Sequence, residues 1–481
     1  MKRVGTLVVF AVLVCLPAAA QNTDLESLAG LTFNFQNPGA RSLGMGGAFL
    51  GLADDATAAE ANPAGLTILR SPEISLELRN FRIDTPVTAG GEFPNFTIEE
   101  FTGHSNTAEV SFASFVFPRD RWAVAAYYHR PLSIRSDVNM VYEFDALNFP
   151  FIRELPLWFI ARGDPVGSGG PIDREECIRL NDEDFGACTG YELNPYLTGV
   201  DISQKTFGIA GAYSFGPVSV GAGVRYQLFD QAAALFRYIH QGTVQSAQLT
   251  EILVQATELD EEGNAQTESA MTFNLGLKWS VRDDLSVGAT YKHGAEYPTA
   301  VFQRFAAEGQ VFDQAFDTTF HVPDTAGIGV AYRPMPVLTI LADAVFVRYS
   351  NLTDDFKSAF PEIDIIEQPY EIDDALEYHL GAEYFFPGRT SVAIRGGWWL
   401  EPAHGLDYVG PITCDDERFA ESDRVLCSAN RMRSEVVFTG GEDQHHFTVG
   451  VGLAWPKFQI DAAYDTSDAF KVGSISAVYR F

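Results

Sequence analysis

Residues 272–281 read Thr-Phe-Asn-Leu-Gly-Leu-Lys-Trp-Ser-Val. In an extended chain Phe273, Leu275, Leu277, Trp279 and Val281 point one way, and Thr272, Asn274, Gly276, Lys278 and Ser280 the other. That period of two is the strand signal. The pattern recurs: Phe447, Val449, Val451, Leu453 and Trp455 oppose Thr448, Gly450, Gly452 and Ala454, while Ile475, Ala477, Tyr479 and Phe481 oppose Ser474, Ser476, Val478 and Arg480. A soluble sandwich also alternates, but it rarely sets aromatics at both ends of the apolar face against Gly, Ser, Thr and charges. A wall with lipid outside and a polar lumen inside does.

Working outward, fourteen such strands can be marked: 73–83, 107–117, 122–134, 202–215, 218–229, 270–281, 285–297, 325–333, 337–349, 375–386, 390–400, 445–455, 458–466 and 472–481. Six connections are very short and built from Pro, Gly and Asp, such as Gly216-Pro217 and Pro387-Gly388-Arg389, the residues that turns demand. Short and long connections alternate. Fourteen strands with both termini on one side need six turns there, so the expected fold is all-β, a 14-stranded antiparallel transmembrane barrel with short turns on the periplasmic side. The chain ends Tyr479-Arg480-Phe481, similar to the closing-strand signal that outer-membrane barrels present to their insertion machinery.

The bulk numbers agree. The 33 Lys+Arg and 64 Asp+Glu give a net charge of −31, which argues against a nucleic-acid partner. A hydrophobic content of 46% and an aromatic content of 13% are too high for disorder. Lys2 and Arg3, the apolar run Val4–Leu16 and Ala18-Ala19-Ala20 read as a secretory signal over residues 1–20; Cys15 leaves a lipoprotein alternative, against which Val14 is too bulky. After residue 20 no stretch is long and apolar enough for a membrane helix. In an exported chain the remaining cysteines suggest two local disulfides, Cys177–Cys188 and Cys414–Cys427. Neither pair has His or Cys neighbours at ligand spacing, so no metal and no cofactor is expected.

Between leader and strands lies Gly39–Leu66, GARSLGMGGAFLGLADDATAAEANPAGL. A phosphate loop at Gly44, Gly46 and Gly47 fails on spacing, since the third glycine would fall on Phe49 and no Gly-Lys follows. Pro63 and Gly65, the latter free to take positive φ, predict a tight turn, and the small residues suit a compact plug. The stretch resembles the N-terminal hatch of the FadL-like outer-membrane transporters of long-chain fatty acids and aromatic hydrocarbons, with Gly44, Gly46, Gly47, Asp54, Asp55, Asn62, Pro63, Ala64 and Gly65 as its motif. Residues 276–292, 327–349 and 446–464 resemble the same family. The resemblance implies a hatch over 21–71 inside a barrel over 72–481, a monomer in outer-membrane lipid, and passive uptake of a hydrophobic ligand: capture by apolar loops, a lumen pocket, hatch movement, then diffusion onward. It also implies an inward kink in an early strand that opens the wall sideways.

Particular residues give these steps candidates. Fourteen strands enclose more space than side chains fill, about eight strands being the limit, and eleven inward glycines (208, 221, 223, 276, 288, 327, 329, 381, 397, 450, 452) would admit a filling backbone. Among the inward charges Glu77, Arg79, Glu109, Arg225, Lys278, Lys292, Asp343, Glu383, Arg395 and Asp461, most should pair with one another or with Asp54 and Asp55, while Arg225, Lys278, Lys292 or Arg395 could hold a ligand carboxylate. Loop clusters at Phe149, Phe151, Leu157, Trp158 and Phe159, and at Phe302, Phe305, Val311, Phe312 and Phe316, are candidate capture surfaces; residues 245–259 read as an amphipathic helix. Pro131, unable to donate to a ladder, is the candidate for the lateral gap. Two other roles remain open: a secretion or surface-assembly barrel, which shares the glycine-rich start, and a general aqueous porin, which the greasy loops disfavour. Scattered histidines and the lack of a G-x-S-x-G elbow argue against an enzyme.

Overall fold

The computed structural model describes residues 36–90, 98–142, 159–161, 188–190, 194–239, 248–257, 266–307, 310–353, 370–405, 407–409, 440–468 and 470–481. The wall strands are β1 (Glu73–Gly90), β2 (Ile98–Arg119), β3 (Trp122–Tyr142), β4 (Asn194–Ser214), β5 (Val218–Ile239), β6 (Glu268–Arg282), β7 (Leu285–Lys292), β8 (Thr325–Met335), β9 (Leu338–Val347), β10 (Ala375–Phe386), β11 (Ser391–Glu401), β12 (Gln444–Ala454), β13 (Phe458–Thr466) and β14 (Phe470–Arg480). Each pairs antiparallel with the next, and β14 returns to β1 in register from Glu73 opposite Arg480 to Ile83 opposite Phe470. The result is a closed fourteen-stranded antiparallel barrel.

Alternation decides the faces as expected. Phe273, Leu275, Leu277 and Trp279 are exposed on the outside, while Asn274 and Lys278 are buried within. The same split holds for Phe447, Val449, Val451 and Leu453 against Thr448, and for Ile475, Tyr479 and Phe481 against Ser474 and Ser476. Among the described residues no helix is long and apolar enough to cross a membrane.

Two expectations are corrected. The described part of the expected helix over residues 245–259 is a strand, Gln248–Thr257, laid between the outer half of β5 and an added hairpin, Glu296–Ala307 with Gln310–His321. Its apolar spacing fits either period, and the two unsatisfied strand edges beside it decide for β. The seventh wall strand does not run to Tyr297 but stops at Lys292. There Asp324 accepts hydrogen bonds from Gly294 N at 2.6 Å and Tyr291 Oη at 2.9 Å, and Gly294 leaves no room for a Cβ against the Val322 carbonyl. The chain therefore bends before the hairpin begins. Phe302, Phe305, Val311, Phe312 and Phe316 belong to this hairpin. Residues 1–35, Phe149, Phe151, Leu157, Trp158, Cys177, Cys414 and Cys427 lie outside the described residues.

Candidate functional site

Inside the wall runs the segment from Gln36 to Arg70. It comprises α1 (Ala40–Leu43), α2 (Ala58–Ala61) and a 3-10 turn, Pro63–Ile68. Its small side chains let it coil this tightly: Gly46 and Gly47 take φ of 67° and 75°, which favours glycine. Gly65, free to take positive φ, does not take it; a Cβ there would strike the Ala53 carbonyl, so close approach is what requires glycine. Asn62 closes the coil, accepting from Ala64 N and donating to the carbonyls of Leu50 at 3.0 Å and Leu277 at 3.1 Å. Met45, Ala48, Phe49, Leu52, Ala53 and Leu66 form one buried core with Phe112, Val116, Ala210 and Leu341 of the wall.

Eight of the eleven inward glycines lie against this segment. Gly381 and Gly397 meet the Met45 backbone, Gly288 meets the Leu50 carbonyl, Gly221 and Gly276 meet Pro63 and Ala64, Gly327 meets the Leu50 side chain, Gly329 meets Gly51, and Gly450 meets Gly44. The other three, Gly208, Gly223 and Gly452, make room for Tyr127, Asn274 and the Asp461–Arg395 pair instead.

The polar anchors encircle the segment. Gly39 N donates to Glu77 at 2.8 Å, and Gly46 N to Thr448 at 2.9 Å. Phe49 N and Leu50 N both donate to one Asp343 oxygen, at 2.7 and 2.8 Å. Lys278 donates to the carbonyls of Gly51 and Leu52. Arg41 sits among Asp54 (2.6 Å), Asp55 (3.5 Å) and Glu383 (3.0 Å), and Arg333 reaches Asp54 at 3.0 Å. Arg395 joins Glu383 to Asp461 at 2.7 Å each. On α2, Glu60 faces Lys292 at 3.2 Å, Arg225 at 3.7 Å and the Tyr127 hydroxyl at 2.8 Å. Burial opposes its ionisation, yet the Arg225 and Lys292 cations and the Tyr127 hydroxyl hold its carboxyl down at about 2. Burial pushes Asp55 up, against the pull of Arg41 and two Thr57 hydrogen bonds.

The four cations marked for a ligand carboxylate are thus inward and buried, but each already has a partner from the chain itself. Two residues that organise the filling, Arg41 and Glu60, were not marked. The available signal was charge: Arg41 is the sole base of Gly39–Leu66, facing three acids of the same stretch. A small cleft remains between Asn37, Gly47 and Leu50 of the segment and Thr290, His379 and Trp399 of the wall.

The wall is not uniform. β2 and β3 pair from Arg119 opposite Trp122 up to Phe112 opposite His129, and there their ladder stops. Both strands continue, β2 on β1 as far as Ile98 and β3 on β4 as far as Tyr142. A bulge in each marks the parting: Ser111 is extra in β2, and Arg130-Pro131 together face Lys205 of β4. Bulges bend and twist a strand, and a prolyl nitrogen at this position has no hydrogen to give. His129 is seven residues above Trp122, roughly 18 Å up a tilted wall and inside an apolar band of about 25 Å. Pro131 thus lies beside the break in the seam, at a height that a band of that size would cover. The root of the seam is aromatic, with Phe112 centred 6.0 Å from Tyr127 and 5.9 Å from His129, and it rests on Glu60 of the inner segment.

Of the loop candidates within the described residues, Phe159 lies in a short strand, Phe159–Ala161, paired with Cys188–Gly190.

Comparison with known proteins agrees with this architecture. Residues 196–402 match the model of a family described as outer membrane protein transport protein (OMPP1/FadL/TodX). No curated protein matches by sequence. The fold is similar to a Pseudomonas aeruginosa FadL homologue (TM-score 0.57, 13% identity, 93% of this chain and 99% of that one). It is also similar to the P. putida toluene transporter TodX (0.55, 14%, 93% and 99%) and the Ralstonia pickettii toluene transporter TbuX (0.52, 15%, 94% and 100%). The family match thus covers the middle of the chain, and the barrel fold of FadL-like transport proteins is shared along nearly its whole length.

Proposed function

We propose that the protein carries hydrophobic compounds, long-chain fatty acids or hydrocarbons, across the outer membrane without energy input, and that the molecule leaves sideways through the seam between β2 and β3. The ladder that ends at Phe112 and His129 inside the apolar band carries this reading. A ligand stepping out there meets lipid directly, whereas straight passage would cross a lumen filled by the Gln36–Arg70 segment and its buried charges. In this reading the segment is the hatch, apolar outer loops capture the ligand, and contact between Glu60 and Tyr127 couples the hatch to the exit. The names of the structural relatives, toluene transporters and a FadL homologue, fall in the same substrate class.

The test is a lock on the seam. The double variant Glu109→Cys with Pro131→Cys, reconstituted in liposomes, should take up a labelled hydrophobic probe when reduced, lose uptake on oxidation and regain it on re-reduction. Uptake indifferent to the lock would remove the lateral route.

A further inference from the structure

The seam holds more than a missing ladder. Among the described residues, buried polar atoms without a hydrogen-bond partner include Glu109 Oε1, Ser111 Oγ, His129 Nδ1 and Arg130 Nε. These four side chains come from the middle of β2 and β3, at the level where their shared ladder stops, and His129 Nδ1 lies 3.9 Å from Glu60 Oε1 of the inner segment. Ser111 is 1% exposed and His129 4%. A buried polar atom left unpaired costs about 1–3 kcal/mol, and native proteins tolerate few of them. A cluster at a break in a lipid-facing wall therefore points to a polar guest.

The donor set says what kind. Arg130 holds Glu109 Oε2 at 2.7 Å through Nη1, which leaves its Nε–H edge open. Arg130 can only donate, Glu109 when ionised can only accept, and Ser111 can do either. A cationic head would meet Arg130, and an unsubstituted hydrocarbon would satisfy none of the four. A carboxylic acid or an alcohol satisfies both kinds, and its chain finds apolar company: Phe112 lies inside, and Val110 and Tyr128, the latter 5.4 Å from Phe207, line the outside.

We propose that the seam between β2 and β3 is a binding site in its own right, in which Ser111, His129, Arg130 and Glu109 receive the oxygen-bearing head of an amphiphile while its apolar body lies in the gap. This rests on the lateral passage proposed above, and narrows it: the exit favours headed molecules over bare hydrocarbons.

The test uses the full chain in liposomes with two probes of equal length, hexadecanoic acid and hexadecane. Arg130→Met keeps the apolar stem and removes the donors. The acid-to-alkane uptake ratio should fall about tenfold, the loss of one hydrogen bond to a charged group, and Ser111→Ala, which is less disruptive to folding, should lower the ratio by a smaller factor. A photoreactive acid with its diazirine beside the carboxyl should label unaltered protein within residues 109–131. An unchanged ratio in both variants, as from water alone in the seam, or labelling elsewhere, overturns the site. Failure of unaltered protein to pass either probe overturns transport itself, and the labelling result then still decides the site.

Discussion

Two seams of the same wall behave differently. Where β14 returns to β1, every residue from Glu73 to Ile83 has a partner. Side chains reinforce the closure: Arg480 bonds Glu73 at 2.8 Å, Ser474 bonds Glu77 at 2.6 Å, and Phe81 packs on Phe470. Where β2 meets β3, pairing ends at Phe112, and one ion pair, Arg130–Glu109, reaches across beyond it. In a medium without water, an unpaired backbone group costs several kcal/mol. The closing seam shows that this chain can pair its strands fully within lipid. The open one differs in its residues: two bulges and a proline sit where its ladder stops.

Removing residues 39–66 is the harshest way to break the comparison, because it strips the backing that both seams share, Gly39 behind Glu77 and Glu60 behind Tyr127. The shortened barrel should insert and conduct small ions in planar bilayers, since fourteen strands cannot fill their own lumen; a non-conducting barrel would mean that the segment is not the plug. Next, Glu60→Gln leaves Arg225 and Lys292 buried without their anion and should cost about 3–5 kcal/mol, read as a lowered urea midpoint, with the loss centred on the open seam. The sign with pH follows from the depressed carboxyl. Glu60's contribution is complete above its ordinary value of 4.5 and lost as pH falls through about 2, so the variant should flatten only that acid limb.

Gly288→Val strikes the segment where the wall is closed, its Cβ placed against the Leu50 carbonyl. Overpacking of this kind should cost about 1–3 kcal/mol in the same denaturation measurement while leaving the order of uptake between probes intact. Pro131→Val returns a backbone donor to the bulge. The effect should stay under about 1 kcal/mol, a slowing of uptake by at most roughly fivefold, and faster uptake would contradict the role given to the proline. The smallest effect is expected of a control: Arg82→Cys with Lys471→Cys, facing residues of the closing seam, should oxidise without changing uptake at all.

Much of this was readable in the letters. The strands are legible because lipid outside and polar groups inside leave each residue only one side to face, and because a short turn needs Pro, Gly or Asp. The bulge at Pro131 was legible because a missing donor matters most in a closed wall; the lateral gap itself stays a proposal. The charge partners were not. Alternation gives the direction of Arg225 and Lys292 but not that Glu60, more than 160 residues earlier, fills the space between them. The strand Gln248–Thr257 was misread for the same reason: its state is set by β5 and by Glu296–Ala307, which sequence spacing does not bring together. Gly65 was marked for the right residue and the wrong cause, a clash in place of a dihedral.

The length of β4 has a further consequence. Its 21 residues, at about 3.3 Å each and tilted by about 40°, rise roughly 50 Å, twice the height of an apolar band of about 25 Å. The outer half of β4 therefore stands above a band of that height, as do those of β1, β2, β3 and β5, of 18 to 22 residues each. The parting at His129, roughly 18 Å up the wall, lies below this extension. On the proposed route, collection and release are separated by height as well as by chemistry. A greasy molecule taken at the rim would, by that route, reach lipid well beneath the point at which it was caught.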